Sequence, residues 1–81
     1  MNAEQIRQLI LAALPDAQVR VEGADGVHFE AEVVSAAFRG QRLLARHRMV
    51  YAGLGDLMGG AIHALALSTL TPEEQQAAAR R

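Results

Sequence analysis

Two short runs of strict alternation, separated by a glycine-rich turn, constrain this chain more than any other feature in it. Ala17-Gln18-Val19-Arg20-Val21-Glu22 alternates apolar and polar, Gly23-Ala24-Asp25-Gly26 breaks the pattern, and Val27-His28-Phe29-Glu30-Ala31-Glu32-Val33 alternates again. Period two is the period of a strand, and two such runs joined by a short Gly/Asp turn predict an antiparallel hairpin. Val27, Phe29, Ala31 and Val33 are expected on one face, with His28, Glu30 and Glu32 on the other. A sheet with one apolar and one charged face needs covering on one side only. The cover has to come from the helical segments that flank the hairpin.

Those segments are legible from period and punctuation. Ile6, Leu9, Ile10, Ala13 and Leu14 form one stripe at helical spacing, with Asn2 as cap, Gln5 as its capping-box partner and Pro15 as terminator. A second helix is expected from Gln41 to Met58, burying Leu44, His47, Val50, Tyr51, Leu54, Leu57 and Met58 and stopped by Gly59-Gly60. Gly53 and Gly55 fall inside it, for close packing on the sheet or as an early helix end. The apolar run Ala61 to Leu67 reads as a third, well-buried strand. Thr71-Pro72-Glu73-Glu74 then opens a last helix, with Thr71 as N-cap, Pro72 in the first turn and Glu74 closing the box. The order is α-β-β-α-β-α, an α/β (α+β) arrangement with a three-stranded mixed sheet and helices on one face. Strands two and three can run parallel because a helix joins them. Residues 1–81 are expected to form one domain.

Composition narrows the chemistry. The 81 residues include no cysteine, which removes disulfides, thiolate catalysis and Cys-ligated zinc and suits a reducing, cytoplasmic setting. No charge-free apolar run approaches the roughly 18 residues of a membrane span. There is no nucleophile–base–acid set, no phosphate-binding glycine loop and no paired carboxylates on one helix face, so an enzyme is not expected. Charge is divided unevenly: residues 1–34 carry a net −4 and residues 35–81 a net +3. Every basic residue is arginine. Arginine suits bidentate contact with carboxylate or phosphate; a GC-rich coding sequence produces the same bias, and composition leaves the two open.

From residue 33 onward the sequence carries four blocks in a specific order. Val33-Val34-Ser35-Ala36-Ala37-Phe38-Arg39-Gly40 is followed by Arg46-His47-Arg48-Met49-Val50-Tyr51, then Ile62-His63-Ala64-Leu65, then Thr69-Leu70-Thr71-Pro72-Glu73-Glu74. No block is specific alone, but together and in register they resemble the BolA family over nearly the whole chain. The resemblance implies a fold related to the class II KH domain. It implies partnership with a monothiol glutaredoxin around a shared [2Fe–2S] cluster and, in some members, DNA binding and transcriptional regulation in stress or morphology. One departure stands out: the tryptophan common after T-P-E-E in the family is replaced by Gln75 and an alanine-rich tail.

The resemblance gives the histidines roles. His63 matches the histidine of the family's H-A-L block and is the expected iron ligand, the alternative being a hydrogen bond to a helix end. His28 lies in the region where members carry a second ligand, the alternative being an exposed strand residue beside Glu30. His47, inside an apolar stripe, is expected as a core residue bonded to backbone. Two histidines cannot close a [2Fe–2S] cluster, which needs four ligands. The isolated chain is therefore expected to hold no cluster, and a second molecule must supply the thiolates, which the resemblance assigns to the glutaredoxin's cysteine and a bound glutathione. Cluster binding should weaken as pH falls, because a ligating imidazole must be unprotonated at the metal. Arg39, Arg42, Arg46 and Arg48, within ten residues free of acid, form a candidate nucleic-acid patch. Against that stand the near-neutral net charge and the scarcity of aromatic residues, which favour a solvated or partner-docking face. Alone, the chain is expected to be a monomer or at most a weak homodimer.

Overall fold

The computed structural model describes residues 1–23, 25–57 and 64–80. Helix α1 (Ala3–Ala13) is followed by strands β1 (Gln18–Glu22) and β2 (His28–Val34), helix α2 (Leu43–Leu54), strand β3 (Ala64–Leu70) and helix α3 (Pro72–Ala79). Short 3-10 turns occupy Ala36–Phe38 and Gly55–Leu57. β2 is the central strand, antiparallel to β1 and parallel to β3. The expected order and mixed sheet are both present.

Register explains the core. Val19 pairs with Val33 and Val33 with Thr69, while Val21 pairs with Ala31 and Ala31 with Leu67. Side chains alternate across a strand, so these rows share the inner face. Phe29, Ala31 and Val33 of that face are buried with Ile6, Ile10 and Leu14 of α1, Phe38, and Val50 and Leu54 of α2. Val27, expected with them, precedes β2 and is exposed, because the turn has not yet brought the chain into the sheet.

Both capping boxes form as expected. Asn2 Oδ1 accepts from Gln5 N at 2.8 Å and Asn2 N donates to Gln5 Oε1 at 2.9 Å. Thr71 N donates to Glu74 Oε1 at 2.8 Å and Thr71 Oγ1 accepts from Glu74 N at 3.1 Å. Between the helices, Ser35 ties three parts of the chain together. Its Oγ donates to the Asp16 carboxylate at 3.0 Å and accepts from Ala37 N at 3.1 Å, and its N–H donates to Leu70 O at 3.0 Å. The knot swings Phe38 fully into the core.

Several expectations are corrected. α2 spans Leu43–Leu54 rather than reaching Met58, because Gly55 at φ +57° turns the chain out of the helix. The expected Gly59-Gly60 stop, with Met58, lies outside the described residues. Leu44 is 62% exposed and not part of the buried stripe, since only Val50 and Leu54 of this helix face inward completely. Gly53 serves close packing against α1 rather than the sheet: a Cβ there would lie 2.7 Å from Ala13 Cβ. β3 runs to Leu70, through Ser68 and Thr69, and is an edge strand whose Ala64, Ala66 and Ser68 are exposed. It is not buried on both faces because α1 and α2 cover only the inner one.

Candidate functional site

β2 starts at His28, beside the hairpin turn, and its position is set by Asp25. Asp25 Oδ1 accepts from the backbone N–H of Val27 at 2.9 Å and of His28 at 2.8 Å, an aspartate turn that closes the loop on itself. Asp25 Oδ2 lies 2.7 Å from His28 Nδ1. The His28 contact first, then the two backbone donors, hold this carboxyl well below the usual carboxylate range. An ionised carboxylate only accepts, so Nδ1 carries the proton in this contact and Nε2 of the neutral ring is left with a lone pair. A carboxylate on one ring nitrogen is the common second support of a metal-binding histidine, fixing tautomer and orientation.

The ring is accessible, with its side chain 71% exposed. It stands on the outer face of the sheet and borders an open hollow of about 640 Å³ lined also by Glu22, Gly23, Glu30, Ala64 and Ala66. In the parallel register His28 is opposite Ala64, the first residue of β3. His63, the other expected ligand, precedes Ala64 in the sequence and lies outside the described residues. Among the described residues no group of three or more His, Asp and Glu side chains gathers as a metal site.

His47 is half-buried on α2 and meets Tyr51 edge-on, ring centroids 6.3 Å apart. Its Nε2 is buried without a hydrogen-bond partner among the described residues, so the expected bond to backbone is not made there.

The four arginines of the candidate nucleic-acid patch divide into two pairs. Arg39 Nε donates to Glu73 Oε1 at 2.8 Å and its Nη2 reaches Oε2, a two-pronged contact. Arg46, its side chain 13% exposed, donates from Nη1 to Glu74 Oε1 at 2.6 Å and from Nε to Gln41 O at 2.8 Å. These contacts depress the carboxyls of Glu73 and Glu74 and raise Arg39. They also moor α3, a helix with no buried residue of its own. Arg42 and Arg48 are exposed and pair with no carboxylate among the described residues. Beside them Leu43 and Leu44 are 61% and 62% exposed.

Sequence reasoning missed Asp25 as the partner of His28, although an aspartate in a turn three residues before a histidine was a usable local signal. It also missed the Arg39–Glu73 and Arg46–Glu74 pairs, for which nothing local exists.

Comparison with known proteins gives a consistent picture. The sequence profile of a family described as "BolA-like protein" matches residues 10–74. A BolA protein homologue from Coxiella burnetii is 45% identical and superposes with a TM-score of 0.83, covering 94% of this chain and 97% of that one. The "uncharacterized protein in rpoN-murA intergenic region" of Acinetobacter guillouiae is 39% identical over 75 residues, 91% of this chain and 89% of that protein. The DNA-binding transcriptional regulator BolA of Escherichia coli is 47% identical over 47 residues, 58% of this chain and 45% of that protein. The last match therefore spans less than half of the relative.

Proposed function

This chain belongs to the BolA-like family, and from that premise we propose that it is an adaptor that shares a [2Fe–2S] cluster with a monothiol glutaredoxin through His28 and His63. The observation that carries the reading is the Asp25–His28 pair: an exposed imidazole with one nitrogen committed to a carboxylate and the other turned loose at the open end of the sheet. His28 stands opposite Ala64, and the residue before Ala64 is His63. With cysteine absent, the chain has no thiolate to offer, and imidazole is a donor that suits iron. The cluster, when bound between the two proteins, supplies one-electron and transferable iron–sulfur chemistry, and histidine ligation raises its potential over an all-thiolate site. Asp25 orients the His28 ring and keeps its proton on Nδ1. The partner and glutathione complete the thiolate side, and the open outer face leaves room for them.

Co-reconstitution tests this directly. The chain is mixed with a monothiol glutaredoxin, iron, sulfide and glutathione, and the product is examined by size exclusion and visible absorption and circular dichroism. A heterodimer with a histidine-type spectrum is expected. His63→Ala and His28→Ala should each return the spectrum of the glutaredoxin alone, and Asp25→Asn should weaken sharing by about 10–100-fold, the usual loss for a second support. An unchanged spectrum with His63→Ala ends the proposal.

The second reading, a DNA-binding regulator, draws on the name of the E. coli relative and on the exposed Arg42 and Arg48, which pair with no carboxylate among the described residues. With Arg39 and Arg46 engaged by α3, the patch offers two free cations rather than four. Binding through those two would give a slope of log K against log salt near −2. Arg42→Ala with Arg48→Ala should remove most of that slope while leaving cluster sharing intact.

A further inference from the structure

The two edges of the sheet are finished differently, and the difference follows from hydrogen-bond phase. Ser35 N donates to Leu70 O at 3.0 Å, which turns the polar groups of Leu70 toward β2. The N–H and C=O of one strand residue point to the same side, and that side alternates along the strand, so Ser68, Ala66 and Ala64 also bond toward β2. Leu65, Leu67 and Thr69 therefore present theirs at the free edge of β3. Arg46 agrees with this phase, since its Nη1 lies 3.4 Å from Thr69 O. Nothing among the described residues bonds to the edge groups of Leu65 and Leu67. On the opposite edge, β1 carries Arg20 and Glu22, and Arg7 Nε covers Val19 O at 3.2 Å. Charged side chains are the usual guard of an exposed edge. β3 has no charge, proline or glycine anywhere in Ala64–Leu70.

The helical layer above this edge is also unfinished on the same side. α1 packs on β1 and on α2, and α2 packs on β3, so the side of α2 turned away from α1 lies toward the β3 edge. Gly53 marks the side that meets α1. At about 100° per residue, Tyr51 and Leu44 lie roughly 160° and 180° around the helix from Gly53. Both are exposed, with His47 on the sheet side of this flank and Arg48 on its solvent side. A bare strand edge and an apolar helix flank thus run side by side along one margin of the molecule.

We propose that two copies of this chain pair antiparallel along β3, about a two-fold axis at Ala66, to form one continuous six-stranded sheet. Leu65 of each copy then stands opposite Leu67 of the other, and each of these pairs exchanges both of its hydrogen bonds. This register uses the edge groups that are bare and leaves Thr69 O to Arg46. Ala66 meets its own copy at the close, non-hydrogen-bonded position, where Cα atoms are about 4.5 Å apart and small side chains fit. An extended peptide would satisfy the edge but leave the Leu44–Tyr51 flank in water. A second copy satisfies both, because its α2 stays on the same face of the continued sheet and brings its own flank to the axis. The contact is isologous, so it consumes both β3 edges, leaves the guarded β1 edges outermost and stops at two copies. So short a contact belongs among weak, transient interfaces. The inference goes beyond the adaptor reading and does not rest on it.

The test needs only the purified full chain. Sedimentation equilibrium between about 10 μM and 1 mM should show the mass rising from that of a monomer toward, and not past, that of a dimer. Over the same range, amide exchange should slow at Leu65 and Leu67 and stay constant at Ala66 and Ser68, whose N–H groups already bond to β2. Ala66→Lys separates the fold from the contact. Within one chain the new ammonium lies beside Glu30, the register partner of Ala66, so the unfolding midpoint should hold. Across the axis it faces its own copy, and like charges directly opposed should abolish the dimer. Ala66→Glu should do the same, and an equimolar mixture of the two folded variants should associate again as a heterodimer. A wild-type chain monomeric throughout, growth beyond two copies, slowed exchange that spares Leu65 and Leu67, a dimer that survives Ala66→Lys, or a mixture of folded variants that stays monomeric overturns the proposal. None of these outcomes bears on co-reconstitution with glutaredoxin, which is read from the cluster spectrum.

Discussion

Gly53→Ala probes a close approach between α1 and α2. A methyl group at position 53 would meet Ala13 Cβ at 2.7 Å and Leu9 O at 3.2 Å. Carbon atoms settle at about 3.5–4.0 Å, so the helices must part locally by roughly 1 Å. Overpacking of this kind costs about 1–3 kcal/mol. Alanine is also the better helix former, which returns about 0.8–1 kcal/mol. The expected net effect is destabilisation of up to roughly 2 kcal/mol, or a Tm lower by up to about 16 °C for a domain of this size. Ala13→Gly removes the atom that clashes, at about 1 kcal/mol of helix propensity. Combined, the two changes should be more stable than their sum by about 1–2 kcal/mol, a coupling expected only of residues in contact. Urea unfolding followed by circular dichroism measures all four corners of this cycle. A Gly53→Ala protein more stable than the parent, or a cycle additive within about 0.5 kcal/mol, would refute the close approach.

Other expectations follow from single contacts. Phe38→Ala, at a fully buried ring, should cost about 3–5 kcal/mol in denaturant unfolding, and a loss below about 1 kcal/mol would mean the ring is not in the core. Thr71→Ala removes the N-cap of α3 and should cost about 1 kcal/mol, with fraying of 72–79 visible in amide exchange. Glu73 and Glu74 have folded pKa values below the usual 4.5. Their contribution is therefore full above that value and lost as pH falls through the lower folded values. Amide protection of α3 should drop in that acid range, and Glu73→Gln with Glu74→Gln should abolish the pH dependence. An α3 whose protection is unchanged down to pH 2 would show that the two pairs do not moor it.

Much of the fold was legible because its signals are local. Period two in 17–22 and 28–33, the helical stripe from Ile6 to Leu14, and the Asn2 and Thr71 boxes each act within a few residues, and each stands in the structure as expected. The second helix was less legible. Leu44 continues an apolar pattern yet faces solvent, because which side of α2 is buried depends on where α1 and the sheet lie. Gly53 and Gly55 look alike in the sequence, but one makes a helix–helix contact and the other ends the helix. For the candidate site, His28 and its open face could be placed from the hairpin alone, whereas its support by Asp25 needed the turn's geometry.

The sequence by itself determined the element order, the caps and the two-faced sheet, since hydrophobic period and backbone capping are properties of neighbouring residues. Only the tertiary structure decided the fate of the arginines. Arg39 meets Glu73 and Arg46 meets Glu74 across 34 and 28 residues of chain, and Arg42 and Arg48 meet no carboxylate among the described residues. Charge has no period that marks its partner; which ions pair is settled by where the packed core brings distant segments together.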